Sequence, residues 1–142
     1  MSEPTINDMM LAYSKDAVDF AQQNFNIDLD YSNESIRYLE KIAEELHKSM
    51  KSSFFGKLFG KTPNEEEIDT VCKMLGGYFG EVYLKNMPGT WEVNEELGVL
   101  GIRHEDAWIF PPSKTHKRLL NGAEDNLESY FQVALMQPWN KE

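Results

Sequence analysis

Cysteine and positive charge are scarce in this sequence. Cys72 is the one cysteine among 142 residues, so the chain cannot form an intramolecular disulfide, and its place on an apolar helical stripe predicts a buried, inert thiol. Lys and Arg number 14 against 24 Asp and Glu, which gives a formal net charge of −10. Since non-specific nucleic-acid binding needs clustered Lys and Arg to displace counterions from phosphates, this composition argues against a nucleic-acid partner.

Long apolar runs and familiar catalytic motifs are also missing. No uninterrupted apolar stretch approaches the ~20 residues of a membrane-spanning helix, and the N-terminal MSEPTINDMM does not resemble a signal peptide. These features predict a cytoplasmic protein. The sequence contains no zinc-type cysteine spacing, no HExxH, no GxSxG and no phosphate-binding glycine loop. We therefore expect no metal and no cofactor.

Hydrophobic periodicity predicts one α+β domain over residues 1–142. Three helices are expected in the first part of the chain, at 5–24, from Ser32 or Asn33 to about 50, and from a cap at Thr62 to about 87. Strands are expected at 90–93, 97–103 and 107–110. A helix capped by Ser113 and a final helix through Leu135 follow. The sum is four or five helices packed on a three-stranded antiparallel meander.

Glycines interrupt the third predicted helix. Gly76, Gly77 and Gly80 each cost up to ~1 kcal/mol relative to alanine in a helix interior, so something should offset that cost. Gly76 and Gly80 lie four residues apart and share a face. We expect another helix or the sheet to approach the backbone there.

A basic aromatic segment, residues 48–62, separates two acidic parts of the chain. It carries four lysines and no acid, with aromatic and aliphatic side chains between them. The candidate partner-binding residues are Phe54, Phe55, Lys57, Leu58, Phe59 and Lys61. Three interpretations stay open: the apolar side chains fold back as a small satellite core, they anchor a protein partner, or residues 48–61 attach weakly to an anionic membrane surface.

A second group of candidates is scattered along the chain. Glu81 lies among apolar neighbours in the glycine-rich helix, and a partly buried carboxylate needs a partner, for which we predict Arg118. A small enzyme or ligand-binding protein would bring Tyr78, Glu81, His104 and Arg118 into one pocket, with Glu81 as general acid or base and Arg118 as an anion clamp. Lys114, Lys117 and Arg118 also share helical spacing, typical either of a solvated face or of a cationic face for a carboxylate or phosphate.

The order of residues in the second half is distinctive. It runs LGGYFGEVYLKNMPGTWEV (75–93) and then IFPPSKTHKRLLNGAEDNL (109–127), and LDYSNESI (29–36) precedes both. This pattern resembles a group of small bacterial proteins of unknown function. The resemblance covers about half of the chain, implies a bacterial origin and a compact domain, and carries no activity to any residue.

The leading functional hypothesis from sequence is a non-enzymatic protein-interaction domain. Its partner is unknown. Small acidic bacterial proteins of this size include immunity proteins and antitoxins, so by analogy the partner would be a basic toxin, steered by the acidic surface of this chain. Phe55, Leu58 and Phe59 would anchor that partner.

Overall fold

The computed structural model describes residues 3–50 and 65–137 and has the predicted α+β fold. The helices and strands in chain order are α1 (Ile6–Phe25), α2 (Ser35–Ser49), α3 (Glu65–Asn86), β1 (Thr90–Asn94), β2 (Val99–His104), β3 (Ala107–Ile109), α4 (Pro111–Asn121), a 3₁₀ turn (Ala123–Asp125) and α5 (Leu127–Ala134). The strands form one antiparallel sheet in the order β1-β2-β3. The predicted meander is therefore confirmed.

Local signals explain where α1 begins and ends. The Thr5 hydroxyl accepts a hydrogen bond from the Asp8 amide, and the Asp8 carboxylate accepts one from the Thr5 amide, which completes a capping box. At the other end, Asn26 adopts a left-handed conformation with φ of 54°, a common way to terminate a helix. The predicted start of α3 at Thr62 and Pro63 lies outside the described residues.

Helix α3 is the centre of the core. Its buried side chains include Leu75, Tyr78, Phe79 and Val82, and α1, α4 and the sheet pack around it. Cys72 on the same helix is also buried, as predicted, and burial raises the pKa of its thiol to about 12. The thiolate is thus a negligible species at neutral pH.

The glycines of α3 are sites of close approach. A Cβ on Gly76 would lie 2.6 Å from the Pro112 Cα of α4, and a Cβ on Gly80 would overlap the Trp91 ring of β1. The prediction that a helix or the sheet approaches this face is confirmed, since α4 contacts one glycine and the sheet contacts the other. Close packing against both partners compensates for the low helix propensity of glycine.

Two predicted boundaries are wrong. Helix α4 begins at Pro111 rather than after Ser113, because proline has the right φ for a first helical turn and that turn needs no N–H. Strand β2 begins at Val99 rather than at Leu97, because Leu97 and Gly98 form the turn that follows β1. In that turn the Asn94 side chain accepts a hydrogen bond from the Leu97 amide, and Gly98 has φ of 68°.

Candidate docking groove

The predicted anchors of the basic aromatic segment, namely Phe54, Phe55, Lys57, Leu58, Phe59 and Lys61, lie outside the described residues. Residues 48–50 of that segment are described. There, Lys48 lies 3.8 Å from Glu44 and 3.9 Å from Glu45, so part of the positive charge of the segment already faces acids of α2.

Arg118 is a buried hub between α4 and α2. Its side chain is 1% exposed, and Nη2 lies 2.6 Å from the Glu40 Oε2 and 2.7 Å from the Glu44 Oε1. Glu40 also accepts a hydrogen bond from the Leu127 amide at the start of α5. Burial opposes the guanidinium charge, but the hydrogen bonds to the two glutamates outweigh it and raise the pKa of Arg118. This hub joins α2, α4 and α5.

The predicted ion pair between Glu81 and Arg118 is therefore wrong. Glu81 accepts a hydrogen bond of 2.8 Å from the indole Nε1 of Trp91 instead. The physical reason is the glycine beside it: Gly80 lets the Trp91 ring lie against α3, which brings the indole N–H to the neighbouring carboxylate. Arg118 projects from α4 towards α2 and finds its acids there.

The other two pocket candidates have separate partners. The Tyr78 hydroxyl lies 2.6 Å from the Ser35 Oγ and accepts a hydrogen bond of 2.7 Å from the Tyr31 amide. Burial raises the pKa of Tyr78 to about 12. His104, at the end of β2, lines a cavity of about 20 Å³, too small for a substrate. The structure does not gather Tyr78, Glu81, His104 and Arg118 into one pocket.

A larger opening lies elsewhere, between α1, α3, the β1–β2 hairpin and α4. We call it the docking groove, and its volume is about 600 Å³. Its wall is mostly apolar and is formed by Ile6, Met9, Tyr13, Val93, Leu100 and Pro112. Lys73, His116 and Lys117 lie at its polar border, where Lys73 pairs with Asp69 at 2.9 Å. Groove volume and lining are in the range of sites that bind ligands or partner side chains.

The hairpin wall of the groove is an extension of the core-facing side of the sheet. Trp91 pairs with Ile102 across the strands and Val93 pairs with Leu100, so all four side chains point to the same face. Trp91 and Ile102 are buried, whereas Val93 is 50% exposed. The hairpin continues past the helices that cover its first pair. In its second pair, Leu100 still packs against the edge of the core, whereas Val93 is left half exposed at the groove.

The free edge of β1 borders the same groove. The Trp91 amide donates to the Asn7 Oδ1 of α1 at 3.2 Å, so the backbone groups of Trp91 point away from β2. In an antiparallel ladder the backbone groups of successive residues point alternately towards and away from the paired strand. The N–H and C=O of Val93, two residues after Trp91, therefore also point away from β2. The outward amide of Val93 has no hydrogen-bond acceptor among the described residues.

Sequence reasoning missed this groove. Met9 recurs at helical spacing with Ile6, Met10 and Tyr13, a pattern that predicts a place on the buried face of α1, yet Met9 is 49% exposed and lies at the groove. The sequence predicted strands at 90–93 and 97–103. It did not reveal that the helices stop short of the hairpin tip.

A shallow hollow rich in acidic side chains lies between the end of α1 and α2. Glu40, Glu44 and Glu45 line it together with Phe25 and Ile27, and its volume is about 500 Å³. The hollow therefore adds negative potential to this surface. Its Glu40 and Glu44 carboxylates, however, are already paired with Arg118.

Comparison with known proteins gives no match, whether to family models, to curated proteins or to solved structures. Across residues 3–50 and 65–137, no helix is both long and apolar enough to cross a membrane. The same ranges contain no group of three or more His, Cys, Asp or Glu side chains arranged to hold a metal ion.

Proposed function

We propose that this chain is a non-enzymatic protein-interaction domain and that the docking groove receives part of its partner. The observation that carries this proposal is that Val93, on the core-facing side of β1, and Met9 of α1 are both about half exposed and line the same groove. Apolar side chains that border a concave opening favour association, because a partner removes them from water. The unbranched side chain of Met9 is suited to such a contact, because methionine can adapt its shape to a partner.

The arrangement of titratable groups supports a non-enzymatic role. Glu81 binds the Trp91 indole, Tyr78 joins Ser35 and Tyr31, and Arg118 holds two glutamates. These contacts connect secondary-structure elements. None of the three residues lines the docking groove.

Charge supports a basic partner. A net charge of −10 attracts a positively charged protein over a distance of about one Debye length and accelerates its association. A cytoplasmic bacterial immunity protein or antitoxin, which neutralises a basic toxin by covering it, fits this combination of size, charge and groove. The basic aromatic segment is a second proposed contact, with Phe55, Leu58 and Phe59 as anchors.

The test is affinity purification from native bacterial lysate, followed by a binding measurement with the purified partner. Three substitutions are compared with the wild type: Val93→Asp in the groove, Leu97→Asp in the hairpin turn, and the double variant Phe55→Asp/Phe59→Asp. Leu97 is 62% exposed and does not line the groove, so it controls for added charge on the same hairpin. Circular dichroism and thermal melting verify that each variant folds.

We expect a basic partner that binds the wild type and Leu97→Asp equally and binds Val93→Asp at least tenfold more weakly, because a carboxylate in an apolar groove loses its hydration. Loss with the double variant would add the basic aromatic segment to the interface. A partner that tolerates Val93→Asp would remove the groove from the proposal, and the absence of any specific partner would refute the interaction function.

A further inference from the structure

We infer that the docking groove binds an extended peptide segment of the partner, and that this segment pairs with the edge of β1 at Val93. The inference rests on the proposed interaction function. The bound segment would be a short strand with an apolar side chain directed into the groove and an acidic residue next to it.

Backbone geometry supplies the first argument. β1 is an edge strand, because the sheet order is β1-β2-β3. The Val93 N–H and C=O point away from β2, and that N–H has no acceptor among the described residues. Unpaired edges are the places where proteins add a strand from another chain.

The groove beside that edge supplies the second argument. Side chains of an added strand alternate between the two faces of the sheet, so every second one would lie on the face of Val93 and Leu100. That face borders the apolar wall formed by Ile6, Met9 and Tyr13. The segment therefore needs an apolar residue at this position.

Charge at the groove border supplies the third argument. Lys114 pairs with Asp125 and Arg118 with Glu40, whereas Lys117 has no carboxylate of the described residues within ion-pair distance. Lys117 lines the groove beside Ser113, the first residue of α4 with an amide hydrogen, and the first turn of α4 contains no acid. An acidic residue in the bound segment would complement this border.

The accessible edge is short. Asn7 already bonds the Trp91 amide, and a turn begins at Asn94, whose carbonyl accepts the Gly98 amide. The pairing is confined to the backbone groups around Val93. Since a hydrogen bond formed in exchange for water contributes little net free energy, the apolar side chain must supply much of the affinity.

The test uses a phage-displayed library of random dodecapeptides, selected on the immobilised full-length protein. The best peptide is synthesised with a fluorophore, and fluorescence anisotropy gives its affinity for wild type, Val93→Pro and Val93→Ala. Proline removes the outward N–H of an edge strand without breaking the ladder to β2. Alanine keeps the N–H and loses side-chain area, so it is the matched control.

We expect the selected peptides to share an apolar residue beside an acidic one. Val93→Pro should weaken binding about tenfold or more, and clearly more than Val93→Ala, because the peptide carbonyl loses its donor. Lys117→Ala should weaken binding and reduce its salt dependence. If Val93→Pro fails to fold, hydrogen exchange of the Val93 amide in the wild type replaces it, and the peptide should slow that exchange.

Equal affinity of wild type and Val93→Pro, or unchanged exchange of the Val93 amide, would overturn the strand pairing. A library that yields no binding peptide would also overturn it. Neither result decides the proposed function, since a folded partner captured from lysate and lost with Val93→Asp would still establish the groove as an interface.

Discussion

Among single residues, Arg118 illustrates how a polar side chain can hold a core together. It is 1% exposed and donates to two glutamates of α2, one of which also binds the first amide of α5. Its Nη1 has no hydrogen-bond partner among the described residues. Removal of the guanidinium would leave the Glu40 carboxylate, which has a 13% exposed side chain, without its counter-charge.

Arg118→Ala should destabilise the fold by roughly 3–5 kcal/mol, the usual effect of leaving one member of a buried pair alone. The measurement is urea denaturation followed by circular dichroism. Arg103→Ala is the control, because Arg103 and Glu92 form an exposed pair of 3.0 Å on the sheet, and solvent screening leaves such a pair with little effect on stability. Similar losses for the two variants would contradict the hub described for Arg118.

The sequence could predict that Glu81 and Arg118 need partners, but not which ones. A charge within an apolar helix stripe implies compensation, and that much follows from the cost of burial. With 24 acids in the chain, the choice of Glu40 and Glu44 depends on how α4 lies against α2. The sequence does not indicate Trp91 as the donor to Glu81, because the position of its ring over Gly80 depends on contacts between distant parts of the fold.

At the scale of secondary-structure elements, α3 has a glycine face that two neighbours share. Gly76 contacts the start of α4, and Gly80 contacts the Trp91 ring of β1. The close contact at Gly80 also places the indole N–H against Glu81. The absence of a side chain at Gly80 thus determines how closely α3 and the sheet can approach each other.

Gly80→Ala should destabilise the fold by about 1–3 kcal/mol through overpacking, despite a gain of up to about 1 kcal/mol in helix propensity. A double-mutant cycle with Trp91→Phe tests the cause, because phenylalanine lacks the second ring that the new methyl group would overlap. Chemical denaturation of the four proteins gives the coupling energy. We expect Trp91→Phe to offset part of the loss, and simple additivity would rule out the steric explanation.

Periodicity predicted the identity of the elements better than their ends. The α+β order and the meander follow from the change in period after Pro88, which the sequence displays directly. The start of α4 was misplaced because Pro111 and Pro112 suit either the end of a strand or the first turn of a helix. The docking groove depends on where helices stop covering the hairpin, and no local pattern encodes that.

For the whole molecule, acidity has a consequence for stability. Hydrogen bonds and nearby positive charges lower the pKa of several carboxyls, among them Glu44, Glu92 and Asp125. A carboxyl with a lowered pKa in the folded state stabilises the fold above its unfolded pKa. That contribution disappears as the pH falls through its folded pKa.

Asp125 offers a specific test. Hydrogen bonds from Lys114 and Asn121 lower its pKa below the ordinary value of 3.8. Asp125→Asn should lower the melting temperature at pH 7, and the difference from the wild type should shrink as the pH falls below 3.8 and through the lowered folded pKa, because the wild-type carboxyl then becomes protonated as well. Asp16→Asn, at an exposed position of α1, controls for the change in net charge. A loss for Asp125→Asn that does not depend on pH would contradict this explanation.

The hydrogen bond between Asn7 and the Trp91 amide has a further consequence for the protein at high concentration. Fibrous aggregates grow when exposed strand edges of successive molecules join over their whole length. Here α1 occupies one end of the β1 edge and the hairpin turn limits the other, so two copies have too short a stretch to build a continuous intermolecular sheet along β1. The Asn7 side chain thus limits the free part of the β1 edge to a length that suits a short peptide strand and is too short for fibre growth.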